Sequence, residues 1–165
     1  LRSVMYCFFT FVVFAAPPAF AQDVKPALKI EARLFHSRTG FFSEDVLAPD
    51  APGLGNVIIG ENASSSAIVI VRINTTPALP TNTKLRLVAK ETSTNKTTAN
   101  ARVKLRKLLD STVTVPSTAA DNTPVYIGFW LSDVGCMQVA LKANLTTAGA
   151  VSATASATLD FLCYE

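Results

Sequence analysis

From residue 27 onward the chain alternates. In ALKIEARLFH (27–36), Leu28, Ile30, Ala32 and Leu34 fall on one side and Lys29, Glu31 and Arg33 on the other. A period of two places successive side chains on opposite faces of a strand. KLRLVAKE (84–91), ANARVKLRKL (99–108), TPVYIGFWLSD (123–133), MQVALKANL (137–145) and SATASATLDFLC (152–163) alternate in the same way. SSAIVIVRIN (65–74) is apolar on both sides up to Arg72, the pattern of a central strand covered on both faces. Sustained helical periodicity is scarce beyond residue 21.

These segments predict about seven strands. Turn-rich stretches separate them: NTTPALPTNT, TSTNKTTAN, PSTAADNTP, SDVG and TTAGAV. Short strands at this spacing predict an all-β fold, an antiparallel immunoglobulin-like sandwich, with a small closed barrel or jelly roll as the alternative. Trp130 is expected in the core or on a sheet face. Residues 37–65 hold no clear long element and exceed an ordinary hairpin connection, so they are expected to form a functional loop or a flap over the apolar strand that follows.

The first 21 residues carry a different pattern. Arg2 precedes VMYCFFTFVVFAA, 13 apolar or near-apolar residues that Pro17 and Pro18 end, and Ala19-Phe20-Ala21 has the small-x-small form that signal peptidases cut. The run is short for a membrane span. Residues 1–21 are therefore read as a signal peptide and 22–165 as a single domain, exported to the periplasm or the cell surface, with no transmembrane segment after cleavage. Two cysteines remain, Cys136 and Cys163, and an even pair in an exported chain predicts one C-terminal disulfide. With 26 residues between them, the bridge would contribute roughly 3 kcal/mol in the chain-entropy model. Opposed residues of a 137–145/153–163 hairpin share a face, which would set Cys163 inward and Cys136 outward. The bridge thus needs Cys136 to lie before its strand begins, near Gly135, or a bulge to shift the register.

Charge is lopsided. Residues 84–107 hold eight cations and one carboxylate, leaving six cations against eleven carboxylates in the rest of the mature chain. If 84–91 and 99–108 are hairpin partners, Lys84, Arg86, Lys90, Arg102, Lys104 and Arg106 share one face, extended by Lys107. Like charges opposed across a ladder repel, and an anionic partner would offset that. The candidate partners are an anionic polymer, a membrane surface or an acidic protein. A solvated face that guards a sheet edge is the plain structural account. Nucleic acid fits poorly, because single-strand binders interleave aromatics with their cations and this face has none.

Other motifs carry little chemistry. GLGNVIIG departs from the spacing of the dinucleotide fingerprint and lacks its strand–turn–helix surround. Glu44, Asp45, Asp50 and Glu61 match no calcium-loop spacing. The sole histidine, His36, lies on an alternating segment, so neither a Ser-His-Asp arrangement nor a metal site has support. No cofactor and no catalytic residue are expected. Asn62, Asn74, Asn95 and Asn144 open N-x-S/T sequons.

At GLGNVIIGE, PVYIGFWLSDVGC and LDFLC the chain resembles a group of small exported bacterial proteins without an assigned activity. The resemblance implies an immunoglobulin-like sandwich and no functional residues. A second resemblance is to pilus subunits, exported β-sandwich proteins with alternating terminal strands and an aromatic next to last, as Tyr164 is here. Pilus subunits usually carry their disulfide near the N-terminal strands, whereas both cysteines here are C-terminal. The expected function is non-catalytic binding through the basic face, with a structural or assembly subunit that adds strands at an open edge as the alternative.

Overall fold

The computed structural model describes residues 26–74, 78–92, 105–116 and 123–161. The described chain is all β, with seven antiparallel strands: β1 Ala27–Leu34, β2 Ser66–Asn74, β3 Lys84–Glu91, β4 Lys107–Thr114, β5 Val125–Ser132, β6 Val139–Thr147 and β7 Ala150–Leu159. They form a three-stranded sheet, β1-β2-β5, and a four-stranded sheet, β4-β3-β6-β7. The expected signal segment, Cys163 and Tyr164 lie outside the described residues.

Alternation becomes burial. Ile30, Ala32 and Leu34 of β1, and Ala67, Val69, Val71 and Ile73 of β2, point into a core shared with Leu85, Leu87, Val139, Leu141, Leu145 and Leu159 of the second sheet. Burying such side chains is the main force that holds two sheets face to face. The result is a sandwich-like arrangement in which β1 lies against β7 and β6 while β4 lies against β5. β6 and β7 are joined by a two-residue turn, Ala148-Gly149, with both φ angles positive, as the right-handed twist of a hairpin favours.

Two sequence expectations change. The strand after β3 is Lys107–Thr114, overlapping the expected 99–108 by only two residues. Leu109, Val113 and Val115 supply its inward positions, and Ser111 interrupts their apolar run, which hid the alternation. In this register Lys84, Arg86 and Val88 stand opposite Thr114, Thr112 and Asp110, so cation opposes cation only at Lys90–Lys107, beyond a bulge. Second, β2 is central in its sheet, yet its outward Ile68 and Ile70 are half-buried with no further sheet over them among the described residues. Trp130 stands on the outer face of β5, 47% exposed, the second of the two places expected for it.

The 37–65 segment runs along the rim of β1, and its Val46, Leu47, Leu54 and Val57 pack against the core. Ser43 Oγ accepts the amide of Leu34 at 2.8 Å, Asp45 Oδ1 accepts that of Ala32 at 2.9 Å, and the Val46 amide donates to the Ala32 carbonyl. Further on, Gly55 makes a parallel bridge with Phe161, just past β7. β6 begins at Val139 with Gly135 at φ +116°, so Cys136 lies ahead of the strand, the first of the two geometries the sequence left open.

Candidate functional site: the basic outer face

The outward residues of β3 are Lys84, Arg86, Val88 and Lys90. β6 lies beside β3 with Val88 opposite Lys142, Arg86 opposite Asn144 and Lys90 opposite Ala140. Lys142 is thus a diagonal neighbour of both Arg86 and Lys90, at roughly 7–8 Å between backbones. The row runs Lys84, Arg86, Lys142, Lys90 and Lys107 across three strands, bordered by Thr112, Thr114, Asn144, Thr146, Thr154 and Ser156.

Two of the expected cations are held by carboxylates. Arg86 grips Asp110 through two parallel bonds, Nε to Oδ1 at 2.7 Å and Nη2 to Oδ2 at 2.9 Å, and Lys107 adds a third at 3.1 Å. Those donors hold the Asp110 carboxyl well below the usual carboxylate range, Arg86 first and Lys107 second. Arg106 turns to the end of the sheet, where its Nε and Nη2 meet Glu91 Oε1 at 2.9 and 2.7 Å. Its own amide donates to Glu91 Oε2 at 2.8 Å, and Nη2 reaches the Asp133 carbonyl. The Glu91 side chain is buried, and the Arg106 side-chain bond lowers its pKa in spite of desolvation. Arg106 is therefore a counter-ion to a buried carboxylate and a tie between β3 and the end of β5.

Lys84, Lys90 and Lys142 pair with no carboxylate among the described residues. Arg102 and Lys104 lie outside the described residues. The row ends at a cavity of about 400 Å³ lined by Thr81, Asn82, Lys84, Thr146, Ala148 and Gly149. Sequence reasoning missed Lys142. Its outward place in the alternation of 137–145 was readable, but only the pairing of β3 with β6 brings it to the others.

Elsewhere the structure places the remaining candidates in loops. His36 opens a tight turn in which its carbonyl accepts the Gly40 amide at 2.8 Å. Asp45 serves the rim of β1. Among the described residues no group of three or more His, Cys, Asp or Glu comes together, and no helix is long and apolar enough to cross a membrane. The chain matches no protein-family model and no curated protein.

Proposed function

We propose that this chain is an exported, non-catalytic binding domain that captures an anionic polymer of the cell envelope on the outer face of its four-stranded sheet. The observation that carries the reading is the trio Lys84, Lys90 and Lys142, without a carboxylate partner among the described residues and gathered from two strands onto one hydroxyl-rich surface. Ammonium groups without internal partners lose little on meeting external anions, and the bordering threonines, serine and asparagine offer hydrogen bonds to polymer hydroxyls. Arg86 and Arg106 contribute to the fold first. Binding of this kind weakens steeply with salt.

The test is retention of residues 22–165 on immobilised anionic polysaccharide and on anionic vesicles across a salt gradient. Changing Lys84, Lys90 and Lys142 together to glutamine should lower the eluting salt severalfold. Equal retention of both proteins would mean that the face is merely solvated. Preference for vesicles over polysaccharide would move the partner to a lipid surface.

A second reading, an assembly subunit, is favoured by the outer strands β5 and β7. VYIGFWLS and AVSATASATL carry no charge, and uncharged edges invite a further strand. Concentration-dependent oligomers that ignore salt would support it. The immunoglobulin-like class belongs to the same proposal. Relative to the constant-type order, the fourth strand here joins the third in the larger sheet. The Cys136–Cys163 bridge is also proposed, and thiol labelling in denaturant checks it.

A further inference from the structure

The outer face of the β1-β2-β5 sheet has a chemistry of its own. Its rows read Lys29-Arg72-Tyr126, Glu31-Ile70-Gly128 and Arg33-Ile68-Trp130. Tyr126 and Trp130 are exposed, and they stand four residues apart on β5, or about 13 Å at a strand's rise. Between them Gly128 leaves a gap into which Ile68 leans, its Cδ1 only 3.2 Å from where a Cβ would stand. Trp130 is steadied by edge-on contacts with Phe35 at 5.6 Å and Phe42 at 6.3 Å. An aromatic held in place before binding loses little freedom on contact.

We infer that this face is a binding platform for the sugar rings of an acidic polysaccharide. Pyranose rings present polarised C–H bonds that rest against the electron-rich face of an aromatic ring, and Tyr126 and Trp130 bracket an apolar floor long enough for a short run of rings. Arg72 supplies the acid recognition. It stands directly across from Tyr126, and its Nε is buried without a hydrogen-bond partner among the described residues. Nε is shielded from solvent, so the contact falls to the two terminal Nη groups, through which a planar guanidinium takes a carboxylate in two parallel bonds. Glu31 decides between anions. It sits in the central row, with one oxygen on Lys29 at 2.9 Å, where a carboxylate accepts sugar hydroxyls and repels closely spaced phosphates. Three cations against one carboxylate suit a polymer with one charge per ring better than a nucleic acid strand. This surface lies on the other sheet from the lysine row and stands independently of it.

Trp130 is the chain's one tryptophan, so its fluorescence reports on this face. The experiment titrates the mature chain with polygalacturonate, with neutral dextran, oligothymidylate and anionic phosphatidylglycerol vesicles as comparison probes. A saturable change is expected with polygalacturonate, at least tenfold weaker in Tyr126→Ala and Arg72→Gln and kept when Lys84, Lys90 and Lys142 are all glutamine. Thermal melts establish that each variant is folded, and Arg72→Lys tests the planar fork separately from the charge. The inference is overturned by no change in the native protein, or by loss of the change in the lysine variant. It is equally overturned if dextran responds as strongly, or if the oligonucleotide or the vesicles bind more tightly.

Discussion

Asp45 Oδ1 accepts the backbone amide of Ala32 at 2.9 Å, and the same oxygen accepts the amide of Leu47 at 3.1 Å. One carboxylate thus closes a strand rim and shapes the loop that covers it. Asp45→Ala should lower unfolding free energy by about 1–3 kcal/mol, the cost of leaving a shielded donor unmet. Asp45→Asn keeps an acceptor and should lose less. Urea denaturation reads the difference, and faster hydrogen exchange at Ala32 locates it. Unchanged exchange at Ala32 in Asp45→Ala would refute the capping role.

Glu91 makes stability depend on pH. Its pKa in the fold is lowered by Arg106, so the unfolded chain takes up its proton more readily. The stabilisation is complete above the unfolded glutamate's pKa and is lost as pH falls through the folded one, beginning below about pH 5. Glu91→Gln should be less stable at pH 7 and show a flatter decline on acidification. Thermal melts from pH 7 to 3 check this. Asp110, on an exposed face, should change the curve far less when replaced by asparagine.

Gly135 holds φ +116°, and a Cβ there would stand 3.0 Å from Ile58 and Val57 side-chain carbons and 3.1 Å from the Ser64 carbonyl oxygen. Both the backbone and the space demand glycine. Gly135→Ala should cost about 2–3 kcal/mol, more than a typical surface change. A midpoint within error of the native protein's would show that the loop yields freely.

Ala148 adopts φ +49° in the β6–β7 turn, a conformation that asparagine tolerates better than alanine. Ala148→Asn creates an Asn-Gly pair in a two-residue hairpin and should stabilise the fold by about 0.5–1 kcal/mol. Calorimetry would show a raised Tm. A lowered Tm would mean that the side chain meets the adjoining cavity wall.

How much of this was legible depends on how local each signal is. Five strands follow from alternation that survives to the inward residues of the core, and β2 follows from its continuous apolar run. β4 escaped because Ser111 breaks its apolar run, while the neighbouring cationic stretch alternates better. Lys84 and Lys90 could be placed on a common face from one strand alone. Lys142 joins them only through pairing between residues more than fifty positions apart, and the hold of Asp110 on Arg86 depends on a register that no local pattern states. Ile68 and Ile70 expose another limit. Apolar residues on both sides of a strand signal burial equally well whether a second layer covers them or a tryptophan and a glycine merely shelter them.

The rim segment also fixes an order of events. Its anchors are Ala32 and Leu34 in β1, Gly135 between β5 and β6, and Phe161 just past β7. Gly55 cannot meet Phe161 until the residues through β7 have been made. A hairpin of β1 and β2 can form early, but the strap beside it stays loose until β7 has docked, since contacts distant in sequence are formed late and slowly. The rim segment therefore completes its packing only after β7 has docked, and it stays pliable until that strand arrives.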